Sequence, residues 1–455
     1  MKFRFSFLAI VGVSLVCCGP KDPNIDPKTG DIIIHEVVPN GSEKYLSSGS
    51  EYIFDQDRLH TFYLELPKSD LARIDANPAA EEYVVGRLIF ERDTVSPVGI
   101  RYKGSIGAFV GCLSGRDFSN PSGYKTCTKL SMKVKLNWEG RKDHFFGLNK
   151  LQFHSQNLDK SKMRERLGYW LFREMGVPAP RSVHAKLMIN GTYSGLYALT
   201  EQIDGRFAKD RFENGGGNVY KEIWPLNTNG QPFQEQQYLE ALKTNEDEIP
   251  NATIIRNFGK KVANASKEQL KSVISESMNL DEIMAYAAVD RTIRHDDGPF
   301  HWYCGSGGCS NHNYYWYEDP VSEKLHLIAW DMDNAFENIV ADYNPVTPIA
   351  DKWGEIRKNC EPFSFGAFRS VQRSAACDKL TAGWASFDTE YTQKVQEFIQ
   401  GPLSKEKVDQ KLEEWSAQIQ EAVEISSKVH KDVPTPAIWK DAIRQLKDQT
   451  EFAAK

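Results

Sequence analysis

The chain has 455 residues, 40% hydrophobic and 26% charged, which is enough apolar material for a large core and too much for a disordered protein. Its 56 basic and 62 acidic side chains leave a formal net charge of -6. There is no positive excess to bind a polyanion by counterion release, so nucleic acid is excluded as an expected partner.

The N-terminus opens Met1-Lys2-Phe3-Arg4, continues through an apolar stretch over residues 5–16 and ends it at Cys17-Cys18-Gly19. A basic start followed by about a dozen apolar residues is a signal peptide, too short to span a bilayer. Leu15 stands three positions before Cys18, the spacing of a bacterial lipobox, so Cys18 is the expected lipidated residue, with Cys17 and simple cleavage as alternatives. Residues 1–18 are then the signal, and 19–30, rich in Pro, Asp, Gly and Lys, are a flexible tether. The expectation is an exported protein, held on a membrane by its N-terminal lipid and facing the periplasm or the cell exterior.

Downstream, alternation predicts strands over residues 32–38, 61–66, 83–90 and 98–102, with a short helix over 69–77 opened by Ser69-Asp70. A loop rich in Gly, Ser and Pro fills 104–128 and feeds a strand at 130–136 that carries Lys133 and Lys135. A helix over 162–175 stops at Gly176, with Pro178 and Pro180 just beyond. Strands at 183–189 and 195–200, joined by Asn190-Gly191, make a hairpin. From about residue 251 the texture turns helical, at 267–277 and 280–294. Two strands follow at 313–317 and 324–329, the second running into Trp330-Asp331-Met332-Asp333, and a charged helical tail covers 389–454. This order predicts an α+β fold, with a β-rich lobe over about 31–225 and an α-rich lobe over about 226–455.

After processing, six cysteines remain in three local pairs: Cys112 with Cys127, Cys304 with Cys309, and Cys360 with Cys377. An even set in an exported chain reads as disulfides, although spacing alone leaves connectivity open. His301 and His312 flank the middle pair, so a zinc site is the sharper alternative there.

Asp331 and Asp333 close an apolar strand, where a rigid scaffold presents oxygen ligands to a hard cation; an isolated Asp-x-Asp also reads as a solvated turn. Upstream, His295-Asp296-Asp297-Gly298 places acids at the end of a predicted helix, against its dipole. Lys135 on its strand, Asp297, Asn313 and Asp331 occur in the order a phosphoryl-transfer site requires: a lysine for phosphates, a carboxylate for the acceptor's proton, and metal ligands.

Arg164-Glu165-Arg166-Leu167 through Gly176-Val177-Pro178-Ala179-Pro180, then Ile189-Asn190-Gly191, Gly195-Leu196-Tyr197 and Thr200-Glu201-Gln202-Ile203-Asp204, closely resemble the spore-coat CotH kinase family. The resemblance extends to Val98-Gly99-Ile100-Arg101-Tyr102-Lys103-Gly104, His312-Asn313-Tyr314-Tyr315 and Trp330-Asp331-Met332-Asp333, covering about residues 60–430. It implies a two-lobed atypical protein-kinase fold using ATP and Mg2+ or Mn2+, with an unidentified extracytoplasmic protein accepting phosphate on Ser/Thr-type hydroxyls. By motif, Lys135 matches the lysine expected on the phosphates and Asp297 the catalytic acid. Asp331, with Asp333 and Asn313, matches the metal ligands. Glu201 falls in a kept motif that either contacts nucleotide or braces the hinge.

His295 stands where the family carries Asn, which leaves Asp296 as an alternative base. A run bearing Cys304 and Cys309 is inserted before Asn313, and the loop after Gly104 lacks the family's Asn-Ser-Ser. Two other readings remain. One is a non-catalytic adhesin or coat module using Trp302 and Tyr314-Tyr315-Trp316-Tyr317 as a contact surface, though that run also reads as core. The other is structural calcium at Asp331 and Asp333.

Overall fold

A computed structural model describes residues 31–33, 49–104, 106–117, 119–140, 144–247, 250–339, 348–366 and 369–455. The signal peptide, Cys18, the tether and most of the strand expected at 32–38 lie outside the described residues.

The first half contributes β1 (His60–Glu65), α1 (Lys68–Ala76), β2 (Val84–Phe90), β3 (Asp93–Tyr102), α2 (Ile106–Phe109), β4 (Met132–Lys135), β5 (Lys150–His154), α3 (Arg164–Glu174), β6 (Ser182–Ile189) and β7 (Thr192–Thr200). The strands close into a barrel in the order β1-β2-β3-β4-β5-β7-β6. The parallel pair β1 and β6 seals it, and the other pairs are antiparallel. Period-two alternation builds the barrel wall: in β4, Met132 and Val134 point inward and are fully buried, while Lys133 and Lys135 point out. The β6–β7 hairpin turns on Asn190 and Gly191, at φ 47° and 76°, the left-handed pair that a two-residue hairpin loop demands.

Register aligns the outward side chains. Arg101, Lys133 and Gln152 form one row across β3, β4 and β5, and Gly99, Lys135 and Lys150 form the next. This part of the barrel's outer face is therefore basic.

That lobe holds α4 (Gly205–Arg211), β8 (Asn218–Lys221), α5 (Glu235–Glu240), α6 (Thr253–Asn264), α7 (Lys267–Ser277), α8 (Leu280–Thr292), β9 (Trp302–Gly305), β10 (Gly308–Ser310), β11 (Tyr314–Glu318) and β12 (Leu325–Ala329). It ends with β13 (Phe363–Phe365), β14 (Ser370–Arg373), α9 (Lys379–Ala385), α10 (Asp388–Gln400), α11 (Lys405–Val429) and α12 (Pro436–Ala453). Two sheets run β12-β11-β8 and β10-β9-β14-β13. β8, which the sequence reading groups with the β-rich half, pairs with β11 instead, because Val219 and Tyr220 bury in the second lobe's core.

The aromatic run is core rather than a contact surface: Tyr314, Tyr315, Trp316 and Tyr317 are all buried, since both faces of β11 are covered. Helix α3 also buries Leu167, Leu171 and Phe172 in this second core. The tail straps back onto the first half: Tyr193 Oη donates to the Ala422 carbonyl at 3.2 Å, and Trp439 Nε1 to that of Ser161 at 2.9 Å.

All three cysteine pairs are disulfide-bonded, with Cα separations of 4.7 Å for Cys112–Cys127, 4.0 Å for Cys304–Cys309 and 5.5 Å for Cys360–Cys377. The zinc alternative falls, because Cys304 and Cys309 are consumed as cross-strand partners of β9 and β10. Among the described residues, no helix is long and apolar enough to cross a membrane.

Candidate functional site

The acidic side of the site is built at the ends of α8 and β12. Asp331 adopts a left-handed backbone, φ 61° and ψ 64°, and the turn is clamped from two sides. Its N–H donates to Tyr169 Oη at 3.0 Å, and its carbonyl lies 3.0 Å from His295 Nε2, whose Nδ1 sits 3.0 Å from the buried Asp290 carboxylate. Gly298 makes room for this pair, since a Cβ there would stand 2.5 Å from His295 Nδ1 and 2.9 Å from Asp290 Oδ2. Turn and helix meet again where Met332 packs against Gly168 of α3.

Asp297 receives Tyr303 Oη at 2.8 Å on one oxygen and Asn313 Nδ2 at 2.9 Å on the other. Asn313 also donates to the Asp297 carbonyl at 2.9 Å, leaving its amide oxygen as the donor toward a cation. Burial raises the Asp297 carboxyl above the usual range and the nearby Asp331 charge adds to this, while the Tyr303 hydrogen bond opposes it. Asp333 is pushed well up by burial and by the charges of Asp331 and Glu165, with Arg164 opposing. Asp296 turns the other way, accepting Asn338 Nδ2 at 3.0 Å and the Ile349 N–H at 3.2 Å, and burial lifts it to about 6. Of the two adjacent acids, Asp297 is the one beside Asn313 and Asp331.

The basic side is the outer barrel face. Lys103, at the end of β3, places Nζ 2.9 Å from Gln152 Oε1, 2.7 Å from His154 Nε2 and 5.5 Å from the centre of the Trp330 ring, the residue just before Asp331. Burial draws its pKa down to about 8, against the charges of Asp331 and Glu165. Lys133 is brought to about 7 by burial and then by the charges of Lys150, Lys103 and Arg101, with Asp204 opposing. Lys103 and Lys133 thus lie close enough for their charges to disfavour one another, with Asp331 acting on Lys103 and Asp204 on Lys133.

Lys135 shares the outward face of β4, but its Nζ lies 5.8 Å over the Trp138 ring, which packs where Gly99 has no side chain. Lys103 is the lysine set beside the Asp331 turn, while the acid that acts on Lys133 is Asp204. Glu201 is buried beneath Arg181 and Arg211: Arg181 donates from its main-chain N at 3.0 Å and from Nε at 3.1 Å, and Arg211 pairs with the same carboxylate. That geometry is a brace. Asp204 caps α4 by accepting the Arg206 N–H at 3.0 Å.

Sequence reasoning missed Lys103, His154, Glu165, Tyr169 and Tyr303. Lys103 and Glu165 carried one signal, their place within the stretches Val98–Gly104 and Arg164–Leu167 that resemble the family. The others lie on helix and strand faces that only docking brings together. Among the described residues, no three His, Cys, Asp or Glu side chains converge as a metal cage. Asp331, Asp333 and the Asn313 amide oxygen nevertheless suit a magnesium ion, which takes few protein oxygens and completes its shell with phosphates and water.

Fold and site together define a two-lobed α+β protein whose lysine-bearing sheet face opposes a carboxylate cluster at a strand end. The family model described as CotH kinase protein matches residues 100–454, and the chain belongs to that family. It is 22% identical over 213 residues to the inner spore coat protein H of Bacillus subtilis (strain 168), a match taking in 44% of this chain and 55% of that protein. The chain thus spans about half the length of that relative. A solved complex of HipA, HipB and operator DNA from Shewanella oneidensis MR-1 overlaps 70% of this chain and 63% of its own, at 11% identity and a TM-score of 0.33, too low to carry an argument.

Proposed function

We propose that this protein is an exported phosphotransferase that moves a phosphoryl group from ATP to a Ser/Thr-type hydroxyl of an extracytoplasmic protein. One observation carries the reading: helix α3 touches both halves of the site. Its Glu165 bonds to His154 beside Lys103, while its Tyr169 and Gly168 hold the Asp331 turn. Membership of the CotH kinase family and three disulfides, as expected of an oxidising compartment, support it. Anchoring through Cys18 belongs to the same proposal.

In this scheme the lysine face receives the phosphates, and Asp297, raised by burial and oriented by Tyr303 and Asn313, takes the acceptor's proton. Asp331, Asp333 and Asn313 would hold a divalent ion that supplies charge neutralisation on the phosphates. Asp296, bound to Asn338 and Ile349, keeps the neighbouring backbone in place.

The test is incubation of the purified protein with labelled ATP and magnesium. Label incorporated by the wild type and lost in Asp331→Asn is expected. Equal labelling of the two, or none in either, would refute the reading. Structural calcium predicts instead a metal-dependent rise in melting temperature with no further effect of nucleotide.

A further inference from the structure

Resting on that reading, we propose that Lys103 is the lysine that engages the nucleotide phosphates, and that His154 is a positioning residue, a neutral imidazole inserted between Lys103 and Glu165 that aims the ammonium into the site. With Lys103 taken as an ammonium, the hydrogen-bond inventory carries this assignment. An ammonium offers only donors, so His154 Nε2, 2.7 Å from Lys103 Nζ, accepts, and the remaining ring proton sits on Nδ1. That proton points at Glu165 Oε1, 2.6 Å away, and the same oxygen accepts Thr200 Oγ1–H at 2.7 Å, which pins the carboxylate. Gln152 Oε1 takes a second ammonium hydrogen at 2.9 Å. Among the described residues two of the three Lys103 donors are held by protein, and the proposal gives the third to a ligand oxygen beside Trp330 and the Asp331 turn.

The bridge also explains how a carboxylate that is 2% exposed serves a lysine on the barrel rim. Glu165 opens α3, which is rooted in the second core and grips Asp331 through Tyr169. The imidazole spans the remaining distance, so one rigid helix sets the positions of both the cation and the metal-binding turn.

Equilibrium binding of ATP with magnesium and the kinetics of transfer together test the assignment in six proteins: wild type, Lys103→Met, Lys135→Met, His154→Leu, His154→Gln and Asp331→Asn. Lys103→Met is expected to weaken ATP binding by about ten- to a hundredfold, as for loss of a charge-assisted hydrogen bond, while Lys135→Met stays within about twofold. His154→Leu is expected to lower kcat by about tenfold or more with a smaller change in KM, because the ammonium is misaimed rather than removed. His154→Gln, which both accepts and donates while staying neutral, should recover most of that loss; a merely structural histidine would show no such rescue.

Equal damage from Lys135→Met and Lys103→Met, or His154→Leu with kcat unchanged, overturns the assignment while leaving the phosphotransferase reading intact. So does a His154→Gln variant that stays as impaired as the leucine while melting like wild type. Wild type that neither binds ATP nor differs from Asp331→Asn overturns the phosphotransferase reading itself, and the Lys103 assignment with it.

Discussion

Replacing Gly168 by alanine measures how much displacement the Asp331 turn tolerates. The new Cβ would stand 2.9 Å from both Cβ and Cγ of Met332 and 3.3 Å from its sulfur. Carbon atoms rest at about 3.5–4.0 Å, so the two groups must part by about 0.6 Å or more. The clash is with the root of the Met332 side chain, which is fully buried, so the backbone between Asp331 and Asp333 has to move. In stability the change is modest: overpacking costs about 1–3 kcal/mol, and replacing a helical glycine returns about 1 kcal/mol. A net loss of about 0–2 kcal/mol is expected from urea unfolding. The turn, however, carries the candidate metal ligands, and misplacement on the ångström scale costs about a hundredfold in rate. Phosphoryl transfer should therefore fall by one to two orders of magnitude in a protein that remains folded at 25 °C. A variant that transfers phosphate within about twofold of wild type would refute the claim that α3 holds the acid turn in register.

Glu201→Gln should cost up to about 3–5 kcal/mol in chemical unfolding, because it removes the buried charge shared by Arg181 and Arg211, yet leave the KM for ATP essentially unchanged; a selective rise in KM would return Glu201 to the nucleotide site. Buried His184 accepts Arg166 Nη1 on Nδ1 at 3.0 Å and donates from Nε2 to the Lys162 carbonyl at 2.7 Å, so the fold holds it neutral. Burial and the Arg166 charge lower its pKa to about 3, against about 6.5 unfolded, so the unfolded chain binds the extra proton. Stability should then fall as pH drops from about 6.5 toward 3, by up to about 5 kcal/mol from this group, and His184→Gln should flatten that slope in denaturant titrations. Removing the Cys112–Cys127 bond with paired serines opens a loop of sequence separation 15 and should cost about 3 kcal/mol in the same assay; no change in midpoint would show that the loop adds nothing to stability.

Local elements were legible where local chemistry sets them. The helix expected at 267–277 is α7 itself, because a Ser266 cap and apolar period are complete within the segment. Asn190-Gly191 fixes its hairpin for the same reason. The cysteines fall in three local pairs in the sequence, but their bonding was settled by the fold, which brings each pair within 5.5 Å between Cα atoms. Asp331 and Asp297 stand out in the sequence because the first follows an apolar strand and the second follows a helix whose dipole disfavours it. Alternation cannot rank the lysines: Lys133 and Lys135 have the same parity on β4, and Lys103 lies beyond its strand. Glu201 has the same motif whether it meets nucleotide or two arginines.

What the chain determined alone, then, was the α+β order, the barrel's inward and outward faces and the local spacing of the cysteines, because each depends on neighbours a few residues away. Tertiary structure decided which side chains lie beside the Asp331 turn. β8 joined the second lobe, Trp138 packed under Lys135, and α3 carried Glu165 to His154 and Tyr169 to Asp331. Charges act across space rather than along sequence, so the composition of this site was set only when the two cores docked around one helix.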